Sequence, residues 1–539
     1  MRGADYLVKT LAKAGVSRLF SLSGNQVMPV YDACLDAGID IVHTRHEAAA
    51  VFMAEAYAQL TGEVGIALVT AGPGFSNALG PLVAARASES PVLLLSGDAP
   101  LGLDGWGGFQ ELPQTTIASS LTKGSFRATT AERLGEDVMQ ALKLAAGGRP
   151  GPAHLALPID VLEANFAAIG DLSNDLEMGA DDASPRTEDV ETLLANLGHA
   201  DRPLLLTGPA LNKTRFGEEL DQLGVALDTP VIPMESPRGL KDASLGNLAG
   251  VLKRADLILC LGKSIDFALG FGAHDIAGDS CHWMVVDAEN EASERACRHL
   301  GERLIQIVQA EPRSTARALI AKGVAAQSRR AWHKEVEAGC RSEARADTAQ
   351  APMSGKISSD ALCAAVQQQI VLQSSSVAVL DGGEFGQWAQ AGIRADERLT
   401  NGPAGAIGGG MCYAIAAKLA RPEATVFALM GDGSAGFHLA EFETARRIGT
   451  PFVAVIGNDA CWNAEHQIQL RDYGPDRLIG CELSAARYDL AAEGLGGHGE
   501  FVTDLGELDA ALERAIAAQK PACVNVQIEG LPAPGGVPH

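Results

Sequence analysis

No apolar run in the 539-residue chain approaches the ~18 residues that a membrane-spanning helix needs. The opening MRGADYLVKT carries no apolar export core. These absences predict a protein that works in the cytoplasm and away from membranes. Basic residues are also scarce, 43 Lys and Arg against 67 Asp and Glu, for a net charge of −24. Most of the surface therefore repels a phosphate backbone, which excludes nucleic acid as a partner. A local anion site survives that argument, because a metal ion or the free N–H groups of a helix start supply positive potential of their own. The ten cysteines are scattered, with no C-x-x-C pair and no His at zinc spacing, so they read as buried thiols. The polar bias of a disordered chain is missing too, with 47% hydrophobic and 20% charged residues. The length suits roughly three domains.

Short β-rich apolar runs alternate with Ala-rich helical stretches, the rhythm of parallel α/β units. In the first third these runs are SRLFSLSG, IDIVHT, GIALVTAG and PVLLLSG; RPLLLTGPAL, ADLILCLGKS and CHWMVVDAEN follow, and then SSVAVLDGG, TVFALMGDGS, TPFVAVIGND and PACVNVQIEG. A polar, acidic stretch over 172–191 reads as a linker, and APMSGKISSD near 351–360 as a second boundary. The expected division is an N-terminal domain over 1–175, a middle domain over 188–345 and a C-terminal domain over 356–539, each a doubly wound parallel sheet. A strand running into a Gly-rich turn occurs in both outer domains, as ALVTAGPGFSN and ALMGDGSAGFH, which predicts a shared topology. The middle domain has no GxGxxG after its first strand and so no dinucleotide fingerprint. Its Lys213, Arg215, Arg238 and Lys263 could contact phosphates, but scattered basic residues are ordinarily surface charges.

The densest chemistry lies where TVFALM ends in Gly431-Asp432-Gly433-Ser434 and the next strand, PFVAVIGND, ends in Asp459. One crossover separates the two aspartates, which places both at the carboxyl ends of successive strands, where open α/β sheets bind ligands. Magnesium takes about six oxygens and commonly combines one or two carboxylates with phosphate oxygens. Asp432 and Asp459 supply the carboxylates and the Cys461 carbonyl a third protein ligand. Gly433 lets backbone approach a phosphate, and a helix over FHLAEFETARRI, closed by Gly449, offers free N–H groups.

With these residues in place, the chain resembles the thiamine diphosphate family that includes acetolactate synthases, benzaldehyde lyases and 2-hydroxyacyl-CoA lyases. The family motif is GDG followed some two dozen residues later by Asn-Asn or a variant; here it is Asn458-Asp459, with Asp where the family usually ligates through Asn. The resemblance spans nearly the whole chain. TRHEAAAVFMAEAYAQLTG resembles the stretch that carries the family's indispensable acid, which implies that Glu47 bonds N1′ of the aminopyrimidine and promotes loss of the thiazolium C2 proton. NGPAGAIGGGMCYAIAAKLA resembles the aminopyrimidine loop, implying that Ile407 wedges between the two cofactor rings and that the Gly405 carbonyl accepts from the 4′-amino group. DGGEF resembles the diphosphate turn, implying contacts from Gly383, Glu384 and Phe385. In the first domain Gly72 and the FQE segment's Gln110 are implied in the active site, and Gln26 falls where benzaldehyde lyases carry a His. A neutral amide cannot act as an acid or base near neutral pH, so Glu465 or His466, beyond the metal turn, is the candidate proton carrier.

The resemblance implies a thiamine diphosphate- and Mg-dependent lyase, carboligase or 2-oxo acid decarboxylase acting on a small carbonyl substrate, assembled as a homodimer or homotetramer. An enzyme of the 2-hydroxyacyl-CoA lyase or oxalyl-CoA decarboxylase type, using CoA thioesters, is an alternative reading. A cofactor-binding regulatory protein without catalysis is another, opposed by the presence of both Glu47 and Asp432, and a flavin- or nucleotide-dependent oxidoreductase is a third. In relatives the middle domain holds FAD, the ADP part of CoA, or nothing; neither nucleotide is favoured here.

Overall fold

The computed structural model describes residues 1–167, 184–324, 328–341 and 355–534. Most of the expected linker over 172–191 and the start of the boundary at 351–360 lie outside the described residues. Three parallel sheets account for all strands among those described. The first contains β1 (Arg18–Ser21), β2 (Asp40–His43), β3 (Gly65–Val69), β4 (Val92–Asp98), β5 (Ser125–Arg127) and β6 (Ala153–Pro158), in the order β2-β1-β3-β4-β6-β5. The second contains β7 (Pro203–Thr207), β8 (Val231–Pro233), β9 (Leu257–Leu261), β10 (His282–Asp287) and β11 (Leu304–Gln309), in the order β11-β10-β9-β7-β8. The third contains β12 (Ser376–Leu380), β13 (Glu397–Thr400), β14 (Thr425–Gly431), β15 (Val453–Asn458), β16 (His498–Val502) and β17 (Ala522–Gln527). Its order, β13-β12-β14-β15-β17-β16, repeats that of the first sheet strand for strand. The shared topology expected from the two strand-to-glycine turns is therefore present. In both sheets the strand order reverses beside the first strand, so a ligand crevice opens between β1 and β3 and again between β12 and β14.

The chain packs as two compact units. One begins at Met1, holds the first sheet and takes in Met411–Pro422 and His438–Thr450; the other holds the second and third sheets. In the first unit the helix Glu47–Thr61 is buried around nearly its whole circumference, as its Ala-rich sequence requires. His46 caps it by accepting the Ala48 N–H at 3.0 Å, and Gly62, in the left-handed region, ends it. Gly65 at the start of β3 comes so close to this helix that an added Cβ would lie 2.0 Å from the Ala54 carbonyl oxygen. The apolar cores sit against the sheets, with Leu19, Leu68, Leu95 and Leu155 in the first and Leu380, Leu429, Val455 and Val524 in the third.

One polar group inside the first core has a measurable consequence. His154, on β6, is fully buried beside the Phe75 ring, and its two ring nitrogens meet the Ser96 and Ser125 hydroxyls, each at 2.8 Å. Burial lowers its pKa from 6.5 to about 3, so it stays neutral in the fold. The unfolded chain therefore binds more protons than the folded one between those values, and stability falls as pH drops through that window. Between pH 6.5 and about 3 each unit of acidification removes on the order of 1 kcal/mol. His154→Gln is expected to be less stable than wild type at pH 7.5 but to lose less on acidification to pH 4.5. Parallel melting curves for the two proteins across that range would remove His154 from the account of acid sensitivity.

Candidate active site

The crevice of the third sheet is built from the carboxyl ends of β12, β14 and β15. Just past β12, the buried Asp381 carboxylate accepts the N–H groups of Gly382 (2.7 Å), Gly408 (3.1 Å) and Gly410 (3.0 Å). Burial pushes its pKa up to about 6 against the pull of those bonds. Its structural effect is to stitch the loop carrying Gly405 and Ile407 onto the strand end. Gly382 must lack a side chain, since a Cβ there would meet Ile407 Cγ2 at 2.6 Å. The helix Gly383–Gly392 starts at this point, with Glu384 and Phe385 buried in its first turn.

At the end of β14, Asp432–Ala435 form a single helical turn, and a separate helix, Glu441–Ile448, is capped by Gly449 in the left-handed region. This corrects the expectation of one helix over FHLAEFETARRI: residues 437–440 form a turn and the helix starts only at Glu441, with Glu441, Phe442, Thr444 and Ala445 buried in it. Beta-strands β14 and β15 are hydrogen-bonded neighbours with Gly431 opposite Gly457, which brings Asp432 and Asp459 together. Burial raises the pKa of both, and the charge of Asp432 raises that of Asp459 further. Asp432 is 1% exposed, and its Oδ2 has no hydrogen-bond partner. A Cys461 N–H bond to Asp459 Oδ1 (3.2 Å) shapes the turn, helped by Ala460 at φ +60°. Gly433 also has a protein neighbour that leaves no room for a side chain, because a Cβ there would lie 2.5 Å from Trp462 Cζ3.

These elements enclose a cavity of about 230 Å³. Every third-domain residue singled out in the sequence as a cofactor or metal contact lines it, from Gly383–Phe385 through Gly405, Ile407 and Gly431–Ser434 to Asp459 and Cys461. Glu465 lines it as well. His466 does not: it lies one residue beyond the wall, and its Nδ1 is buried without a partner. The donor set suits a divalent cation. A buried carboxylate, Asp432, faces a half-buried one, Asp459, one oxygen is orphaned, and a cation would relieve both conditions at once. Among the described residues no group of three His, Cys, Asp or Glu side chains is placed to hold a metal ion, so a third protein ligand would have to be a backbone oxygen such as that of Cys461.

The corresponding crevice of the first sheet, within its own unit, gathers the first-domain residues. Glu47, 8% exposed, opens its helix, and its Oε2 accepts the Asn77 amide N–H at 3.0 Å. A Cβ on Gly74 would lie 3.4 Å from Oε1, so the glycine keeps that oxygen's side clear. Gln26 is buried, and its Oε1 accepts the Thr70 hydroxyl at 2.6 Å. Gln110 stands in the left-handed region at φ +61° against Gly72, where a Cβ would come within 2.8 Å of its own Cβ, and its buried Oε1 has no partner. Gln110 thus combines a strained backbone with an unsatisfied buried amide oxygen. Asn77 and Thr70 escaped the sequence reading, since nothing in their local strings distinguishes a positioning side chain from an ordinary loop residue, and the sequence shows Asp381 only as the start of the DGGEF turn, not as the carboxylate that fixes the Ile407 loop.

Three of the four basic residues of the middle segment, Lys213, Lys263 and Arg238, have different surroundings. Lys213 pairs with Asp221, and Lys263 is buried with its Nζ on both oxygens of Asp266. Arg238 instead lines the cavity of the third sheet.

Comparison with known proteins agrees with the residues. The family model described as "Thiamine pyrophosphate enzyme, N-terminal TPP binding domain" matches residues 1–117, and the one described as "Thiamine pyrophosphate enzyme, C-terminal TPP binding domain" matches 381–526. Similar proteins include the acetolactate synthase large subunit of Mycobacterium tuberculosis, 31% identical over 98% of this chain and 95% of that one. The 2-hydroxyacyl-CoA lyase 2 of Danio rerio is 30% identical over 95% and 89%, and that of Homo sapiens 29% over 92% and 84%. A paired carboxylate turn, a glycine-built crevice and a buried helix-start glutamate thus occur in a chain that belongs to the thiamine pyrophosphate enzyme family.

Proposed function

We propose that the protein is a magnesium-dependent carboligase or lyase that makes or breaks a carbon–carbon bond next to a carbonyl of a small substrate. The facing Asp432 and Asp459 carboxylates, in the same cavity as Gly383–Phe385, carry this reading: a buried and a half-buried acid with an orphaned oxygen call for a cation, and a cation there calls for a polyphosphate. When bound, thiamine diphosphate supplies a thiazolium carbon able to add to a carbonyl and to accept the electron pair of the broken bond. This chain's residues do the rest. Asp432, Asp459 and the Cys461 carbonyl hold the metal, and the backbone of Gly383–Phe385 holds the diphosphate. Ile407, in a loop fixed by Asp381, would hold the cofactor's rings by apolar contact. Glu47, oriented by Asn77, exchanges a proton at N1′ of the aminopyrimidine. Gln26 and Gln110 present amides to substrate oxygens without acting as acids, and Glu465, which lines the third-sheet cavity where His466 does not, is the better placed candidate for proton transfer.

The proposal extends to a homodimer or homotetramer in the cytoplasm. Support for association comes from the loop before Gln110. It exposes Trp106 and Phe109 (83% and 72%), yet Glu111 holds it by accepting the Gly105 and Gly108 N–H groups, and Arg127 holds it by clamping Asp104. An ordered loop with two bare aromatic rings fits a subunit contact.

Prolonged chelation followed by gel filtration is expected to yield inactive protein that thiamine diphosphate and Mg²⁺ restore only together. A panel of 2-oxo acids, acyloins and 2-hydroxyacyl-CoAs, followed by aldehyde or carbon dioxide release, then identifies the donor and decides whether CoA thioesters are used. Full activity after verified removal of the cofactor sinks the reading.

A further inference from the structure

We infer that Arg238 is an anion-binding arm that the middle segment extends into the cofactor cavity, and that it takes an oxyanion there: a phosphate of the cofactor or the carboxylate of an acidic acyl donor. The inference rests on the thiamine diphosphate reading above.

The arm is built to hold its place. It follows β8 in a turn where the Arg238 N–H reaches Ser236 Oγ at 3.2 Å, the Gly239 N–H reaches the Ser236 carbonyl at 3.2 Å, and the Lys241 N–H reaches the Arg238 carbonyl at 3.0 Å. Gly239 sits at φ +52° so near the backbone of Ala268 that an added Cβ would lie 2.1 Å from its carbonyl oxygen. Only glycine fits, in both conformation and space. Pro237 packs toward Gly405, whose added Cβ would meet the proline ring at 3.4 Å, so the arm adjoins the loop that carries Ile407.

The guanidinium at its tip is only 14% exposed. Its nearest acid, Glu384, lies 3.6 Å away, too far for a hydrogen bond, and has other donors in the Gln387 amide and the Ala533 N–H. Asp242, the other nearby carboxylate, spends Oδ1 on the Ser244 N–H. No hydrogen bond to the Arg238 side chain is present among the described residues. Arginine carries five N–H donors in a planar fork matched to carboxylates and phosphates, and desolvating it without hydrogen bonds is costly. The space in front of the fork is the cavity itself. There Arg238 is the single cation among the described lining residues, against the carboxylates of Glu384, Asp432, Asp459 and Glu465. A diphosphate or an acidic substrate entering among those carboxylates meets one attractive side chain, and Arg238 is that side chain.

The test uses Arg238→Met with metal- and cofactor-stripped protein, titrated by calorimetry with thiamine diphosphate plus Mg²⁺ and separately with thiamine. At saturating cofactor, KM is then measured for pyruvate and for acetaldehyde. A charge-assisted hydrogen bond implies a loss of about tenfold to a hundredfold. A weaker Kd for the diphosphate with thiamine unchanged assigns the arm to the cofactor. A raised KM for pyruvate alone, with Kd unchanged, assigns it to the substrate carboxylate. Because Arg238→Met leaves Glu384 without its countercharge, the double variant Arg238→Met/Glu384→Gln is run beside it and should show the same selective loss. Kd and both KM values unchanged in a folded variant overturn the inference. Wild-type protein that binds no thiamine diphosphate overturns the functional reading instead.

Discussion

Glu47→Gln is expected to fold, to bind thiamine diphosphate with wild-type affinity and to lose turnover by about 100- to 10,000-fold, the range of a general acid–base step. The fold tolerates the change because the amide oxygen of glutamine can still accept from Asn77, the bond that fixes the side chain at the helix start. The lost property is proton exchange from the other oxygen, on the side that Gly74 leaves clear. An amide is isosteric with the carboxyl group but does not titrate near neutral pH. The deciding measurement is exchange of the C2 proton of bound cofactor into deuterated solvent, read by NMR after acid quench. The exchange rate should fall in parallel with turnover. An unchanged rate in a variant with reduced turnover would show that Glu47 serves substrate positioning, and an unchanged turnover would remove it from the site.

The site was legible in the sequence where chemistry and backbone demand coincide. GDGS and the downstream Asn458-Asp459 flank a crossover whose strands pair in register, so a one-dimensional spacing became a three-dimensional meeting of two carboxylates. Glu47 was found only through the resemblance, since the local string shows an acid in a first helical turn and nothing more. Ala48, Ala49 and Ala50 mark the helix as buried without marking the acid as reactive. Arg238 shows the opposite limit. Its residue type pointed to phosphate, but the sheet it follows pointed to the middle domain, whereas a turn locked by Gly239 carries it to the cavity of the third sheet. Long-range placement of this kind has no local signature.

The strands divide in the same way. Those read from the sequence lie mainly inside their sheets and are apolar on both faces, as parallel strands between two helical layers must be. Those missed, β5, β8, β11, β13 and β16, are all edge strands of partial burial. Half-covered edges carry polar and charged residues, such as Glu397 and Arg398 in β13 or His498 and Glu500 in β16, and these break the apolar run that marks a strand. The interior strand β6 was missed for another reason: His154 and Pro158 interrupt its apolar pattern although all of it is buried. The single histidine that obscured the strand is the one expected to make the fold sensitive to acid.

Asp432→Ala is expected to abolish metal-dependent cofactor binding while leaving the stripped protein as stable as wild type or more so. The two halves of this outcome follow from one arrangement. Without a cation, Asp432 and Asp459 are neighbouring acids in a site that strips them of water, and Asp432 Oδ2 has no partner, so the pair costs the fold stability. Alanine removes that cost in the stripped protein. It also removes one of two side-chain oxygen ligands from an ion that prefers near-octahedral coordination. Binding to the folded state alone adds stability as RT ln(1 + [L]/Kd), about 2.7 kcal/mol at a hundredfold excess over Kd. That increment should appear when wild-type protein is melted with thiamine diphosphate and Mg²⁺, and should vanish in Asp432→Ala. Subunit sharing can be read from the same variant. If Glu47 of one subunit serves a cofactor anchored by another, hybrids of Glu47→Gln and Asp432→Ala subunits recover activity that neither homo-oligomer has. A ligand-induced shift in Asp432→Ala equal to that of wild type would mean that the diphosphate is held without this carboxylate, and the metal assignment would then have to move elsewhere in the cavity.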